Sequence, residues 1–131
     1  MIILDTQVWI WWSTGSERLS INHRQLIDDT ERDGIAISTI SIWEVAMLVS
    51  KGRLDLGESV DSWLGRVLDI PTLHLLPLSP AVLVDSTRLP GEFHSDPADR
   101  IIVATARSMG TVLLTTDGKI LMYNEVRTVG P

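Results

Sequence analysis

Hydrophobic residues occur along the chain in two alternating patterns, short continuous runs and runs with helical spacing. Residues 2–4 (Ile-Ile-Leu) and 35–37 (Ile-Ala-Ile) are continuous apolar runs, which are typical of strands buried on both faces. Between such runs, apolar residues recur three or four positions apart, as on one side of an amphipathic helix. The predicted strands are residues 2–4, 35–37, 73–78, 111–115 and 126–129.

The predicted helices are bounded by recognisable start and stop signals. In the clearest case, residues 97–109, we interpret Asp96 as the N-cap, Pro97 occupies the first helical position and Gly110 ends the helix. Other helices are predicted over residues 19–30, 41–50, 59–70 and 81–88, with a short one directly after Thr6 and a turn at 119–123.

Strands that alternate with helices predict an α/β fold, in which a parallel sheet carries helices on both faces. The 131 residues are enough for one domain with its own core, so we expect a single domain over residues 1–131. In such sheets the ligand site lies beyond the carboxyl ends of the strands. The residues that follow each strand are therefore the candidates for function.

Four acidic residues occupy such positions. Asp5 directly follows the first strand, and Asp117 follows the strand at 111–115. Glu44 and Asp99 are each expected in the first turn of a helix that leads away from the same edge. Carboxylates packed this closely repel one another unless cations or protons neutralise them. We therefore expect a site for Mg²⁺ or Mn²⁺, which prefer carboxylate and water ligands.

This set of ligands suits the hydrolysis of a phosphodiester, in which a metal activates water and stabilises the leaving oxygen. We expect Asp5 and Asp99 to ligate the metal directly. Glu44 and Asp117 would bind a second metal or act through water.

Each acid also has a structural interpretation. Ser41 and Glu44 have the spacing of a capping box, an acid such as Asp99 is favoured in a first helical turn, and Asp117 begins an Asp-Gly turn pair. Asp5 is the hardest to explain in this way, because a charge that ends a buried strand needs a partner. Taken together at one edge of the sheet, the four acids favour function over structure.

Composition and charge restrict the classes of function. The chain has no cysteine, which excludes disulfides and thiolate metal sites. Neither a signal peptide nor an apolar run near the roughly 18 residues of a membrane span is present, so we expect a cytoplasmic protein with no membrane partner. The net charge of −6 argues against a broad nucleic-acid surface, although bound cations would cancel acidic charge locally.

The five tryptophans invite a base-stacking role, but most have helical core spacing. We expect Trp9, Trp12, Trp43 and Trp63 in the core, and Trp11 on the opposite face as a candidate partner contact.

The basic and imidazole side chains indicate a function less clearly than the acidic ones. The three histidines are scattered, and without a paired nucleophile they do not predict a catalytic triad. A basic track for a nucleic acid could involve Arg18, Arg24, Lys51, Arg53, Arg100 and Lys119.

Several segments resemble motifs of PIN-domain ribonucleases, and in particular of VapC toxins from bacterial type II toxin–antitoxin pairs. The resemblance spans nearly the whole chain, and the motifs follow the family's order. They are Leu-Asp-Thr at 4–6, Ser-Ile-Trp-Glu-Val-Ala at 41–46, Lys-Gly-Arg-Leu at 51–54, His-Ser-Asp-Pro-Ala-Asp-Arg at 94–100 with Ala-Thr-Ala at 104–106, and Leu-Thr-Thr-Asp at 114–117.

The resemblance implies a PIN-like three-layer sandwich around a parallel sheet of about five strands. It also implies a Mg²⁺- or Mn²⁺-dependent endoribonuclease that cleaves tRNA, rRNA or mRNA, a VapB-like antitoxin as partner, and a homodimer. The family's acidic residues fall on Asp5, Glu44, Asp99 and Asp117. Thr6 and Thr116 match small hydroxyl positions beside the metal.

Two other functions compete with an RNA-cleaving toxin. One is a binding or regulatory module that keeps the PIN-like fold without catalysis, which the retained acids argue against. The other is a different Mg²⁺ phosphohydrolase. An aspartyl-phosphate phosphatase would need a second acid two residues after Asp5, where this chain has Gln7.

Overall fold

The computed structural model describes residues 1–131 and contains one five-stranded sheet. The strands are β1 Ile2–Leu4, β2 Ile35–Ser38, β3 Leu73–Leu76, β4 Leu113–Leu114 and β5 Thr128–Val129. All pairings are parallel, in the order β3-β2-β1-β4-β5, which confirms the predicted α/β class. The first strand lies at the centre of the sheet, and its three residues are all buried, as expected for a parallel strand covered on both faces.

Helices cover the sheet on both faces and give the predicted three layers. The helices are α1 Thr6–Ser13, α2 Ile21–Thr30, α3 Thr39–Ser50, α4 Val60–Val67, α5 Pro80–Ser86, α6 Pro97–Met109 and α7 Gly118–Leu121, with a 3-10 turn at Glu31–Asp33. Side chains of β1 alternate between two cores, because successive residues of a strand point to opposite faces: Leu4 packs with α1–α4 and Ile3 with α5–α7. No helix has the length and apolar character needed to span a membrane.

The ends of α6 are as predicted. The Asp96 side chain accepts the backbone N–H of Asp99 at 2.9 Å, and Gly110 adopts the left-handed conformation with φ 59°. A residue with a Cβ is strained in that conformation, so glycine is favoured there.

The start of α3 differs from the prediction. The helix begins at Thr39, because Ser38 at the end of β2 turns its side chain back to accept the N–H of Ile40. Glu44 is therefore in the second turn of the helix, not the first. Strand β4 is also shorter than the predicted strand over residues 111–115.

The tryptophans divide into buried and exposed residues. Trp9 and Trp63 are fully buried, with ring centroids 4.9 Å apart, whereas Trp11 and Trp12 are half-buried against the same core. The prediction that Trp43 lies in the core is wrong, since it is 58% exposed. Helix α3 is apolar around most of its circumference, so its periodicity does not reveal which face is buried.

This difference gives a matched test of the packing. We expect Trp9→Ala to lower the free energy of unfolding by about 3–5 kcal/mol, because it removes a fully buried ring. The exposed Trp43→Ala should cost about 0.5 kcal/mol or less. Urea unfolding followed by circular dichroism measures both, and similar losses in the two variants would contradict this description of the core.

Candidate functional site

Asp5 ends β1 and simultaneously begins α1. One carboxylate oxygen, Oδ1, accepts the backbone N–H of Val8 at 2.9 Å as an N-cap. The other, Oδ2, accepts a hydrogen bond from the hydroxyl of Thr115. The Asp5 side chain is therefore fixed in orientation, and the residue is only 6% exposed.

Glu44 reaches the same place from α3. Its Oε1 accepts a hydrogen bond from the hydroxyl of Thr6, and Oγ of Ser41 lies 2.9 Å from that hydroxyl. The capping-box interpretation is wrong, because Ser38 is the N-cap of α3 and Glu44 bonds to a side chain.

Asp99 and Asp117 lie at the starts of α6 and α7. Asp117 is the N-cap of α7, and its Oδ1 accepts the backbone N–H groups of Lys119 at 2.8 Å and Ile120 at 3.1 Å. Oδ2 of Asp99 lies 3.1 Å from Nε2 of His94. Single carboxylate and imidazole atoms of Asp99, Asp117 and His94 all lie within 4.8 Å of one another.

All four predicted acids line one cavity of about 480 Å³ at the carboxyl ends of β1, β2 and β4. The two predicted hydroxyl residues lie there too. Thr6 supports Glu44, while Thr116 faces the cavity without such a bond. The lining residues are Asp5, Thr6, Gln7, Glu44, Leu48, Asp99, Thr116, Asp117 and Gly118.

The surroundings disfavour negative charge on these carboxylates. Burial raises the pKa of Asp5 and of Glu44 above their usual values. Burial, followed by repulsion from Asp96, Asp117 and the other acids, raises the pKa of Asp99 to about 7. No lysine or arginine forms an ion pair with any of the four predicted acids.

The donor set fits a divalent cation. Carboxylates from separate elements converge without a basic counter-ion, and a cation between them would stabilise the charged forms that burial and mutual repulsion disfavour. Oxygen donors of this kind suit hard ions. The acidic cluster can therefore hold a divalent metal ion.

Two residues at the site were not predicted to act there. Thr115 is fully buried and bonds to Asp5, whereas the resemblance pointed to its neighbour Thr116. In an extended segment only one of two adjacent side chains can face Asp5, and the sequence does not reveal which. His94 was interpreted as one of the scattered histidines.

Arg100 was a candidate for the basic track, but its guanidinium is used inside the protein. It donates to the carbonyl oxygens of Ser86 at 2.7 Å, Phe93 at 3.0 Å and His94 at 3.1 Å. These bonds hold the loop before α6 against the end of α5. They leave Arg100 little freedom to contact a ligand.

The PIN domain family model matches residues 2–125. The chain belongs to the PIN-domain family. Ribonuclease VapC22 of Mycobacterium tuberculosis is 34% identical to this PIN domain over 128 residues, which cover 98% of this chain and 95% of that protein. The resemblance inferred from the motifs is thereby confirmed.

Several solved structures have the same fold. The chain matches VapBC2 from Rickettsia felis, bound to a DNA fragment from their promoter, with a TM-score of 0.74 and 18% identity, covering 100% of this chain and 99% of that one. It matches FitAcB from Neisseria gonorrhoeae with a TM-score of 0.74 and 20% identity, covering 100% and 98% of the two chains. At these identities the matches establish the PIN-like α/β fold.

The raised pKa of Asp99 predicts how the stability of the metal-free PIN domain depends on pH. The folded state holds the Asp99 proton up to pH about 7, whereas the unfolded chain releases it near 3.8. Stability should therefore fall as the pH rises through this window, because the folded state binds more protons there.

We expect the melting temperature in EDTA to fall between pH 5 and pH 8, with Asp99 contributing roughly 5 °C of the change. Asp99→Asn should show a correspondingly smaller decrease, and the exposed Asp29→Asn on α2 should match the wild type. Thermal unfolding at the two pH values measures this. An unchanged decrease in Asp99→Asn would show that this carboxyl is not the source.

Proposed function

We propose that this protein is a metal-dependent endoribonuclease and the toxin of a VapBC-type toxin–antitoxin pair, with residues 1–131 acting as one nuclease domain. The observation that carries the proposal is the convergence of Asp5, Glu44, Asp99 and Asp117 on one cavity. The 34% identity to Ribonuclease VapC22 supports RNA as the substrate of that cavity.

Asp5 and Asp99 would ligate the metal ion, Mg²⁺ or Mn²⁺, directly. Glu44 and Asp117 would bind a second ion or act through water. Such an ion, when bound, lowers the pKa of water and stabilises the charge on the leaving oxygen of the phosphodiester. Thr6 and Thr116 would support the site from its wall.

The protein's own contribution is to hold the carboxylates in place before substrate arrives. The backbone N–H of Val8 and the Thr115 hydroxyl fix the two oxygens of Asp5, and each oxygen keeps a lone pair for a ligand. Asp117 is held by Oδ1 alone, so its Oδ2 remains free. Ligands fixed in this way bind a metal without losing further side-chain freedom.

The overall negative charge limits how RNA could approach. With a net charge of −6, the protein has no general attraction for a polyanion. Cations held by the acidic residues would cancel the negative charge at the cavity locally. Arg100 is adjacent to Asp99, but its guanidinium is bonded to carbonyl oxygens inside the protein. Lys119, an exposed residue two positions after Asp117, is the next nearest basic residue along the chain.

We expect Asp5→Asn and Asp99→Asn each to lower the rate of RNA cleavage roughly 100-fold or more, because each removes a charged metal ligand. Structured tRNA, rRNA and mRNA fragments would be incubated with purified protein in Mn²⁺ or Mg²⁺, and products resolved on gels. EDTA should abolish cleavage by the wild type.

The exposed Asp29→Asn is the matched control and should cleave like the wild type. Equal cleavage by the wild type and Asp5→Ala would overturn the catalytic assignment. If the wild type cleaves no RNA, the catalytically silent module becomes the better description. Hydrolysis of phosphomonoesters without RNA cleavage would favour the other phosphohydrolase.

The partner proposal has its own test. We propose a homodimer that is inhibited by a VapB-like antitoxin encoded beside the toxin gene. The structural likeness to VapBC2 from Rickettsia felis supports the antitoxin partner. Size-exclusion chromatography with light scattering should give twice the chain mass of 14.5 kDa. Adding the product of a short reading frame immediately upstream should suppress RNA cleavage, and unimpaired cleavage in its presence would refute that pairing.

A further inference from the structure

His94 lies beside the acidic site without belonging to the acidic quartet. Its Nε2 is 3.1 Å from Oδ2 of Asp99, and the two side chains are only 20% and 22% exposed. The Nε2 atom itself is shielded from solvent, and its N–H is not aligned on that oxygen, so it makes no hydrogen bond. An unsatisfied buried donor costs free energy, so a partner is expected in the working state.

The other ring nitrogen determines which partner is suitable. The backbone N–H of Asp96 donates to Nδ1 of His94 at 3.3 Å, so Nδ1 must keep its lone pair. The neutral ring then carries its proton on Nε2. A protonated nitrogen cannot ligate a metal ion, but it can donate to the adjacent Asp99 carboxylate.

Three contacts hold the imidazole in this place. Arg100 bonds to the carbonyl oxygens of both Phe93 and His94, which fixes the backbone. The Phe93 ring packs against the imidazole with centroids 4.4 Å apart, and the Asp96 N–H fixes the ring's Nδ1 edge. Nε2 is thus presented to Asp99 by a rigid support, as outer-shell groups of metal sites require.

We propose that His94 is a positioning residue for the metal site. A small rotation of the Asp99 carboxylate would let Oδ2 accept a hydrogen bond from the Nε2–H of His94. This bond would hold Asp99 in an orientation in which it could ligate a divalent cation. This inference rests on the proposed function only in requiring that Asp99 ligates a metal. It assigns His94 a contact with Asp99, and none with the ion.

Two substitutions distinguish the contribution of Nε2 from that of Nδ1. His94→Gln places an amide N–H group near the position of Nε2, whereas His94→Asn can keep an acceptor near Nδ1 but has no donor that reaches Asp99. We expect His94→Asn to weaken Mn²⁺ binding about tenfold or more, and His94→Gln to stay within about threefold of the wild type. Isothermal titration calorimetry with Mn²⁺ measures both.

The exposed His74→Asn on β3 is the control for loss of a histidine and should bind Mn²⁺ like the wild type. Equal affinities of His94→Asn and the wild type would overturn the proposal, and so would equal weakening in His94→Asn and His94→Gln. If the wild type itself binds no Mn²⁺, or Asp5→Asn binds it unchanged, the proposed metal function fails instead.

A measurement on the wild type alone does not depend on how the variants fold. In ¹⁵N-histidine NMR spectra, His94 should be the Nε2–H tautomer both without and with Mg²⁺. Its Nε2–H signal should exchange more slowly with water once Mg²⁺ is added, because the hydrogen bond to Asp99 has formed. An Nδ1–H tautomer in the presence of Mg²⁺ would show direct ligation and refute the positioning role.

Discussion

The burial of mutually repelling carboxylates at one edge of a parallel sheet is the constraint on which the rest of this structure depends. The pKa values of Asp5, Glu44 and Asp99 are all raised, and burial is the largest cause for each. No arginine or lysine relieves this by ion pairing. Without a cation, the charged form of this edge opposes folding, so the surrounding cores must supply the free energy that holds it together.

Local hydrogen bonds convert this unfavourable cluster into an ordered one. Asp5 and Asp117 each cap a helix with the same carboxylate that faces the cavity, while Asp99 is placed by the separate cap of Asp96. Three of the four acids are thus placed by the start of a helix, whereas Glu44 lies in the second turn of α3 and is held by Thr6. In Asp5 and Asp117 the carboxylate that caps a helix is also the candidate metal ligand. This explains why the sequence supported both a structural and a functional interpretation of such residues.

Much of the fold was predictable because its determinants are local. Continuous apolar runs identified the buried strands, and cap residues located α6 to the residue. The positions of Trp43, Thr115 and His94 were not predictable, because they depend on how an apolar helix is rotated, which way an extended segment faces and where a loop is held. These are tertiary contacts, and a single sequence carries no periodic signal for them.

Asp99 and Arg100 are neighbours on α6, and they bind in different directions. Asp99 faces the cavity, while the Arg100 guanidinium donates a hydrogen bond to the backbone carbonyl of His94. If α6 shifts slightly along the sheet, for example when a large ligand docks, the loop travels with it. The distance between the His94 imidazole and the Asp99 carboxylate is therefore preserved when α6 and this loop move together.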